Sequence, residues 1–311
     1  MKDGVWRVKG QVSFPPILPP IASRQKGARM VTIGGCLVVL IGVLVGFTMS
    51  GGHVGALLHP SELVTIGGAS LGALIIMSPK KVLTDLIRCV LQVVKGSPYN
   101  RATYVEAFDL LYAAAKITRR DGLLALESQL GEPKESPLFQ KYPKLLKNHH
   151  ALHFLGNALA LLPDGKTPEQ VKTALEDELR VIEREHHAAV GVLVKTADAL
   201  PGFGIVAAVL GIVVTMQAID GPASEIGHKV GAALVGTFLG ILMSYGFFAP
   251  MAGRMEFLGE AELTFFRAIT TAIVAIGSGE NPREVVTRAS RGVGSDCRPT
   301  RVELTRIFSQ G

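Results

Sequence analysis

The sequence predicts an all-α polytopic membrane protein, with four transmembrane helices carrying a helical cytoplasmic domain. Three observations predict it. Of the 311 residues 48% are hydrophobic and 19% charged, and the mean hydropathy is +0.34, an apolar and charge-poor balance for a soluble chain of this length. Runs free of Asp, Glu, Lys and Arg cover residues 31–49, 63–78, 199–219 and 230–253, each near the ~20 residues that cross ~30 Å of hydrocarbon. None shows the polar face that a soluble helix keeps toward water. Finally, the connection "SGGHVGALLHPSE" between the first two runs has no Lys or Arg, and "DGPASEIGHK" between the last two has only Lys229. The positive-inside rule then puts both termini and the long central region in the cytoplasm. The formal net charge of +6 follows from that asymmetry and requires no nucleic acid.

Taken in order, residues 1–29 hold two Pro-Pro pairs between basic clusters. They read as a cytoplasmic N-terminal extension, or as the product of a start set too early. The run after them is too long, and too soon followed by a second, for a cleaved signal. Residues 30–78 form transmembrane helices 1 and 2, and 79–198 a cytoplasmic helical domain. Within that domain "SPYNRATYVEAFDLLYAAAKITRRDGLLALESQL" has helical apolar spacing that ends near Gly131. "GEPKESPLFQKYPKLLK" is a loop passing into a short helix. A second long helix starts after "LPDGKTPEQ", where Thr167 suits the N-cap, Pro168 the first helical position and Gln170 the reciprocal capping position. No breaker separates it from the third run, so a continuous rod is expected to enter the membrane. Residues 199–253 hold transmembrane helices 3 and 4, and 254–311 cytoplasmic C-terminal helices.

Enzyme motifs fail on context. "GFGIVA" at Gly202 fits a dinucleotide fingerprint, but its glycines open a run that is apolar on every side instead of an amphipathic helix after a strand. The histidines of "HHALH" have no carboxylate completing a zinc motif and read as a solvated face. Cys36, Cys89 and Cys297 are odd in number and far apart, which suggests neither a disulfide framework nor a metal site. No nucleophile elbow or P-loop occurs. No enzymatic function and no cofactor is expected.

What remains lies inside the membrane. Gly42 with Gly46, Gly68 with Gly72, and Gly236 with Gly240 are small-xxx-small pairs that let helix backbones approach closely. Their number suggests packing against helices of further subunits. The four runs contain no ionisable side chain, so a proton path needs a carboxylate from a partner.

The segments "MVTIGGCLVVLIGVLVGFTMSGGHVGALLHPSELVTIGGASLGALIIMSP", "ADALPGFGIVAAVLGIVVTM" and "GHKVGAALVGTFLGILMSYGFFAPMA" resemble MotA, the flagellar motor stator family, as does nearly all of 30–300. The resemblance implies a bacterial inner-membrane protein forming a ring of five around two copies of MotB, whose single transmembrane helix carries the proton-binding aspartate. It implies that Pro201 and Pro250 couple ion passage to movement and that Thr237 lines the path. Sodium-driven members carry threonine at the place of Ala208 and proton-driven ones alanine, so a proton is the expected coupling ion. "TRRDGLLALE" resembles the segment whose arginine and glutamate engage the rotor protein FliG, which assigns that role to Arg119 and Glu127. Two departures stand out: "FLGNALALL" lacks the family's usual acid, and "VVTRASR" its glutamate. Two other readings stay open at this point, an energiser of the ExbB/TolQ kind serving an envelope protein, and a non-motor scaffold or transporter.

Overall fold

The computed structural model describes residues 22–127, 130, 136–217 and 219–309. Residues 1–21 of the expected N-terminal extension lie outside them. All regular structure among the described residues is helical. Four helical stretches are long and apolar enough to cross a membrane: Met30–Met49, Val54–Met77, Pro168–Met216 and Ala223–Gly277.

Helix α1 (Ala22–Met49) stops at a paired-glycine cap. Gly51, at φ +83°, donates to the Thr48 carbonyl and Gly52 to that of Phe47, both at 3.0 Å. Only glycine takes that φ freely, and a Cβ on Gly52 would lie 2.5 Å from the Phe47 ring. A single turn, Val54–Leu57, leads to α2 (Pro60–Met77), which opens on a proline whose missing N–H has no intrahelical partner to lose. The helix therefore starts before the charge-free run, and Glu62 falls in its first turn, where it is buried.

Helix α3 (Lys80–Lys95) buries Leu86 and Val93 and leaves Ile87 and Leu91 exposed. Helix α4 (Arg101–Asp121) begins at Asn100, whose side chain accepts from the Ala102 and Thr103 N–H groups. The helical pattern expected to run toward Gly131 breaks at Gly122, where φ is +86°. One-turn α5 (Leu124–Glu127) follows. Apolar spacing continued across the break because Leu126 is fully buried in the same core. Short helices α6 (Pro137–Gln140) and α7 (Pro143–Lys147) lead to α8 (His149–Ala160).

The expected rod is present as α9 (Pro168–Met216), 49 residues long, about 73 Å at 1.5 Å per residue. Its capping box forms as read: Gln170 N–H donates to Thr167 Oγ1 at 3.3 Å, and Thr167 N–H to Gln170 Oε1 at 2.9 Å. The helix that carries the fourth apolar run continues past residue 253. Helix α10 (Ala223–Ile241) passes through a π-helical stretch, Leu242–Phe248, into α11 (Ala249–Gly277) without a break. Pro250 sits in the first turn of α11, just after wide turns in which Ala249 N–H reaches back five residues to Ser244 O. A proline within a helix costs a hydrogen bond and clashes with the carbonyl four residues before, and a widened turn relieves both. Helices α12 (Pro282–Arg291) and α13 (Arg301–Ser309) complete the chain.

One core joins Tyr99–Leu179 residues to those of 263–307. The two segments that the sequence separates, 79–198 and 254–311, thus share their interior. Phe108, Phe139, Phe154, Phe265 and Phe266 are its largest fully buried rings, and Phe154 stacks on Phe266 at 4.4 Å. A second cluster ties α3, α9 and α11 together through Val93, Val190, Leu193 and Met255. A third, of Ile66, Leu200 and Ala207, joins α2 to α9. Helix α9 contributes to all three, so the rod runs from the apolar bundle into the helical domain.

Candidate functional site

Along the seam between α9 and α10 the two helix backbones pack directly against each other. A Cβ on Gly204 would lie 2.8 Å from the Gly236 carbonyl oxygen, and one on Gly240 would lie 2.7 Å from the Leu200 carbonyl oxygen. One on Gly211 would lie 2.7 Å from Ala233 Cβ. Backbone meets backbone here, the contact that small residues permit where lipid supplies no hydrophobic drive between helices. The glycines of "GFGIVA" are thereby accounted for by packing.

The same seam gathers most of the expected ion-pathway residues. Thr237 Cα is 3.2 Å from the Cβ position of Gly204, and Ala208 N is 3.4 Å from that of Gly236. Ala208 and Thr237, both half-buried, therefore face each other's helices at one level. Pro201 lies inside α9, two turns before Ala208 and beside the Leu200 carbonyl that Gly240 accommodates. Pro250 is exposed and lies farther along the second rod. Nearby hydroxyls differ in their freedom. Thr215 is fully buried and donates to Gly211 O at 2.8 Å, whereas the Ser244 hydroxyl is buried with no hydrogen-bond partner among the described residues.

Other expected packing glycines behave differently. A Cβ on Gly42, Gly46, Gly68 or Gly72 would meet nothing within 4 Å, so among the described residues these glycines face no neighbouring helix.

Glu62 is the residue that reading the sequence missed. The carboxyl is 7% exposed, and its Oε2 lies 2.6 Å from the Cβ position of Gly236. The signal was present in the preceding Pro60, which starts a helix and carries the span upstream of Leu63.

In the helical domain, Arg119 is exposed at the end of α4 and Glu127 is exposed on α5, beyond the Gly122 turn. No ion pair links them among the described residues. Arg120 instead pairs with Asp121 at 2.7 Å and holds that carboxyl below its ordinary range. Arg119, Arg120, Lys116, Lys141 and Arg283 line a cleft of about 770 Å³. The histidines make contacts within the fold. Glu262 accepts from the Tyr99 hydroxyl at 2.5 Å and pairs with His150 Nδ1 at 3.3 Å, which raises the His150 pKa. Asn157 holds His153 at 3.2 Å, and His186 Nε2 lies 3.0 Å from Met255 O.

Two family models match the chain: motility protein A N-terminal over residues 33–122 and the MotA/TolQ/ExbB proton channel family over 146–267. Motility protein A of Salmonella typhimurium is 33% identical over 276 residues, which cover 88% of this chain and 94% of that relative. Chemotaxis protein LafT of Vibrio parahaemolyticus is 34% identical over 277 residues, 89% and 97% of the two chains. The C. jejuni MotAB structure aligns with a TM-score of 0.72 at 26% identity, over 88% of this chain and 99% of that one. The flagellar MotAB stator complex from Bacillus subtilis aligns with a TM-score of 0.66 at 22% identity, over 82% and 92%, a likeness of fold. With this agreement over a four-span helical architecture whose α9–α10 seam brings together Pro201, Ala208 and Thr237, the chain belongs to the motility protein A family, multi-pass membrane proteins among the MotA/TolQ/ExbB proton channels.

Proposed function

We propose that this chain acts as one of five identical subunits around two copies of a MotB-type partner. The partner's single membrane helix presents its aspartate to the α9–α10 seam. Proton passage there moves α9, and the movement reaches the rotor protein FliG through Arg119 and Glu127. The observation that carries this reading is the unbroken run of α9 from the capped start at Thr167, through the domain core, past Pro201, to the seam at Gly204. A rod with few internal joints transmits displacement, and neutralising a carboxylate beside it biases one of two packings. The MotAB complexes among its structural neighbours support the partnership. The vacant glycine stripes of α1 and α2 supply surfaces for neighbouring subunits. The scarcity of Lys and Arg in both span connections supports cytoplasmic termini, with 79–198 and 254–311 on the rotor side.

The coupling ion follows from Ala208. A dehydrated sodium ion needs oxygen ligands and an alanine methyl offers none, whereas a proton needs a carboxylate and water. Motors built from this chain and its partner are expected to turn in potassium buffer without sodium and to stop when a protonophore is added. Rotation that needs sodium and survives collapse of the proton gradient would reject proton coupling.

Charge reversal tests the rotor contact. Because exposed charge pairs contribute only about 0.2–1 kcal/mol and are screened by salt, Arg119→Glu or Glu127→Lys is expected to lower torque without abolishing it. Membrane level and partner binding should stay at the parental level. Unchanged swimming in the double variant assigns both residues to the solvated surface alone.

A further inference from the structure

We propose that Glu62 is a second proton-binding carboxylate of this stator, a way station that takes protons from the side of the α1–α2 connection and passes them toward the α9–α10 seam. The inference rests on the channel reading above and adds to it an acid carried by this chain itself.

Glu62 sits in the first turn of α2, 93% withdrawn from solvent by its 7% exposure, and its Oε2 has no hydrogen-bond partner among the described residues. Buried carboxyls with a purely structural role are tied down by donors, and this oxygen is not. Ionisable groups inside a membrane bundle are rare and mark proton relays. The surroundings are built around the carboxyl. Gly236 leaves the space that Oε2 occupies, and Ala207 Cβ and Ala208 N lie 3.1 and 3.4 Å from the same Cβ position. Gly236 thus differs from Gly204 and Gly240, whose missing side chains admit backbone. It also adjoins Thr237 and its carbonyl meets Gly204, so the carboxyl lies against the seam where the partner's acid is expected.

The proposed entry is from the connection side. There the turn Val54–Leu57, α1 and α10 border an open cavity of about 990 Å³ whose lining includes Ser50, His53, His59 and His228. His59, three residues before Glu62, is the titratable group whose charge acts on it. The residues that face it from α9 and α10, namely Ala207, Ala208 and Gly236, carry none. The step balances simply. Glu62 carboxylate takes a proton from hydronium in the cavity, leaving water, and becomes the neutral acid. It releases that proton to the partner's carboxylate through water or a hydroxyl and returns to its starting state.

The test uses the full chain with its partner in cells. Glu62→Gln keeps size and polarity but cannot carry a proton, and Glu62→Asp keeps the chemistry. Glu62→Gln is expected to accumulate in the membrane and co-purify with the partner at the parental level, to turn the motor about a hundredfold more slowly, and to lose the dependence of speed on external pH. Glu62→Asp should restore that dependence. Parental speed and pH profile in Glu62→Gln overturn the proposal. Should Glu62→Gln fail to accumulate, the parental complex decides: dicyclohexylcarbodiimide, which attacks protonated carboxyls in apolar surroundings, should modify Glu62 increasingly as pH falls, read by peptide mass spectrometry. No modification of Glu62 at any pH overturns it. A parental motor that runs on sodium alone rejects the channel reading instead, while the labelling still reports on Glu62.

Discussion

Gly240→Leu is expected to abolish motility and to strip the chain from its complex. The Cβ position of Gly240 lies 2.7 Å from Leu200 O, 2.9 Å from Gly204 Cα and 3.1 Å from Gly204 N. All three neighbours are backbone, so no rotamer change makes room and the two helices must separate. Overpacking costs about 1–3 kcal/mol and occasionally more, and with backbone on every side Gly240→Leu falls at the upper end; the separation also opens the seam that holds Ala208 and Thr237. Membrane accumulation, recovery of the partner on purification and swarm diameter should all fall together. Gly191→Ala, in the same α9 but with nothing within 4 Å of its Cβ position, serves as the control and should leave all three unchanged. A Gly240→Leu strain that swarms at the parental rate would show that the seam can open without harm.

The second large effect is expected at Phe266→Ala, in the helical domain. Phe266 is 1% exposed, stacks on Phe154 of α8 at 4.4 Å and meets Tyr99 edge-on at 5.9 Å. Removing a fully buried ring costs about 3–5 kcal/mol through lost burial and the cavity left behind. Since Phe266 lies on α11, the continuation of the fourth span, the loss loosens the joint between that rod and the domain. The purified complex in detergent should melt several degrees lower, at about 2–4 °C per kcal/mol for a domain of this size. The membrane helices should remain inserted, because their hydrogen bonds are internal and hydrocarbon offers no alternative. A melting temperature equal to that of the parent would place the domain's stability elsewhere in the core.

Both predictions use glycines and rings that look alike in the sequence and differ in the structure. Gly42, Gly46, Gly68 and Gly72 carry the same spacing as Gly236 and Gly240, yet of these, among the described residues, only the last pair meets another helix. Spacing states that a close approach is permitted. It does not state to which helix. The same holds for Arg119 and Glu127, one pattern along "TRRDGLLALE" that Gly122 divides between two helices.

The sequence by itself determined what depends on neighbours along the chain. The four apolar spans, the capping box at Thr167 and Gln170, and the unbroken passage of α9 through Pro201 are all legible because helix hydrogen bonds close within four residues and hydrocarbon enforces them. The tertiary structure alone decided what depends on segments that meet across long stretches of chain. It showed that 79–198 and 254–311 share one core, because burying an apolar face needs a partner face that no local pattern names. It carried the helix of the fourth span on to Gly277, because the π-helical turns before Pro250 remove the clash that a proline otherwise makes a stop signal. And it turned Glu62 from the last polar residue of a loop into a buried carboxyl against Gly236, because a side chain's solvation is set by the helices packed over it and not by the residues beside it.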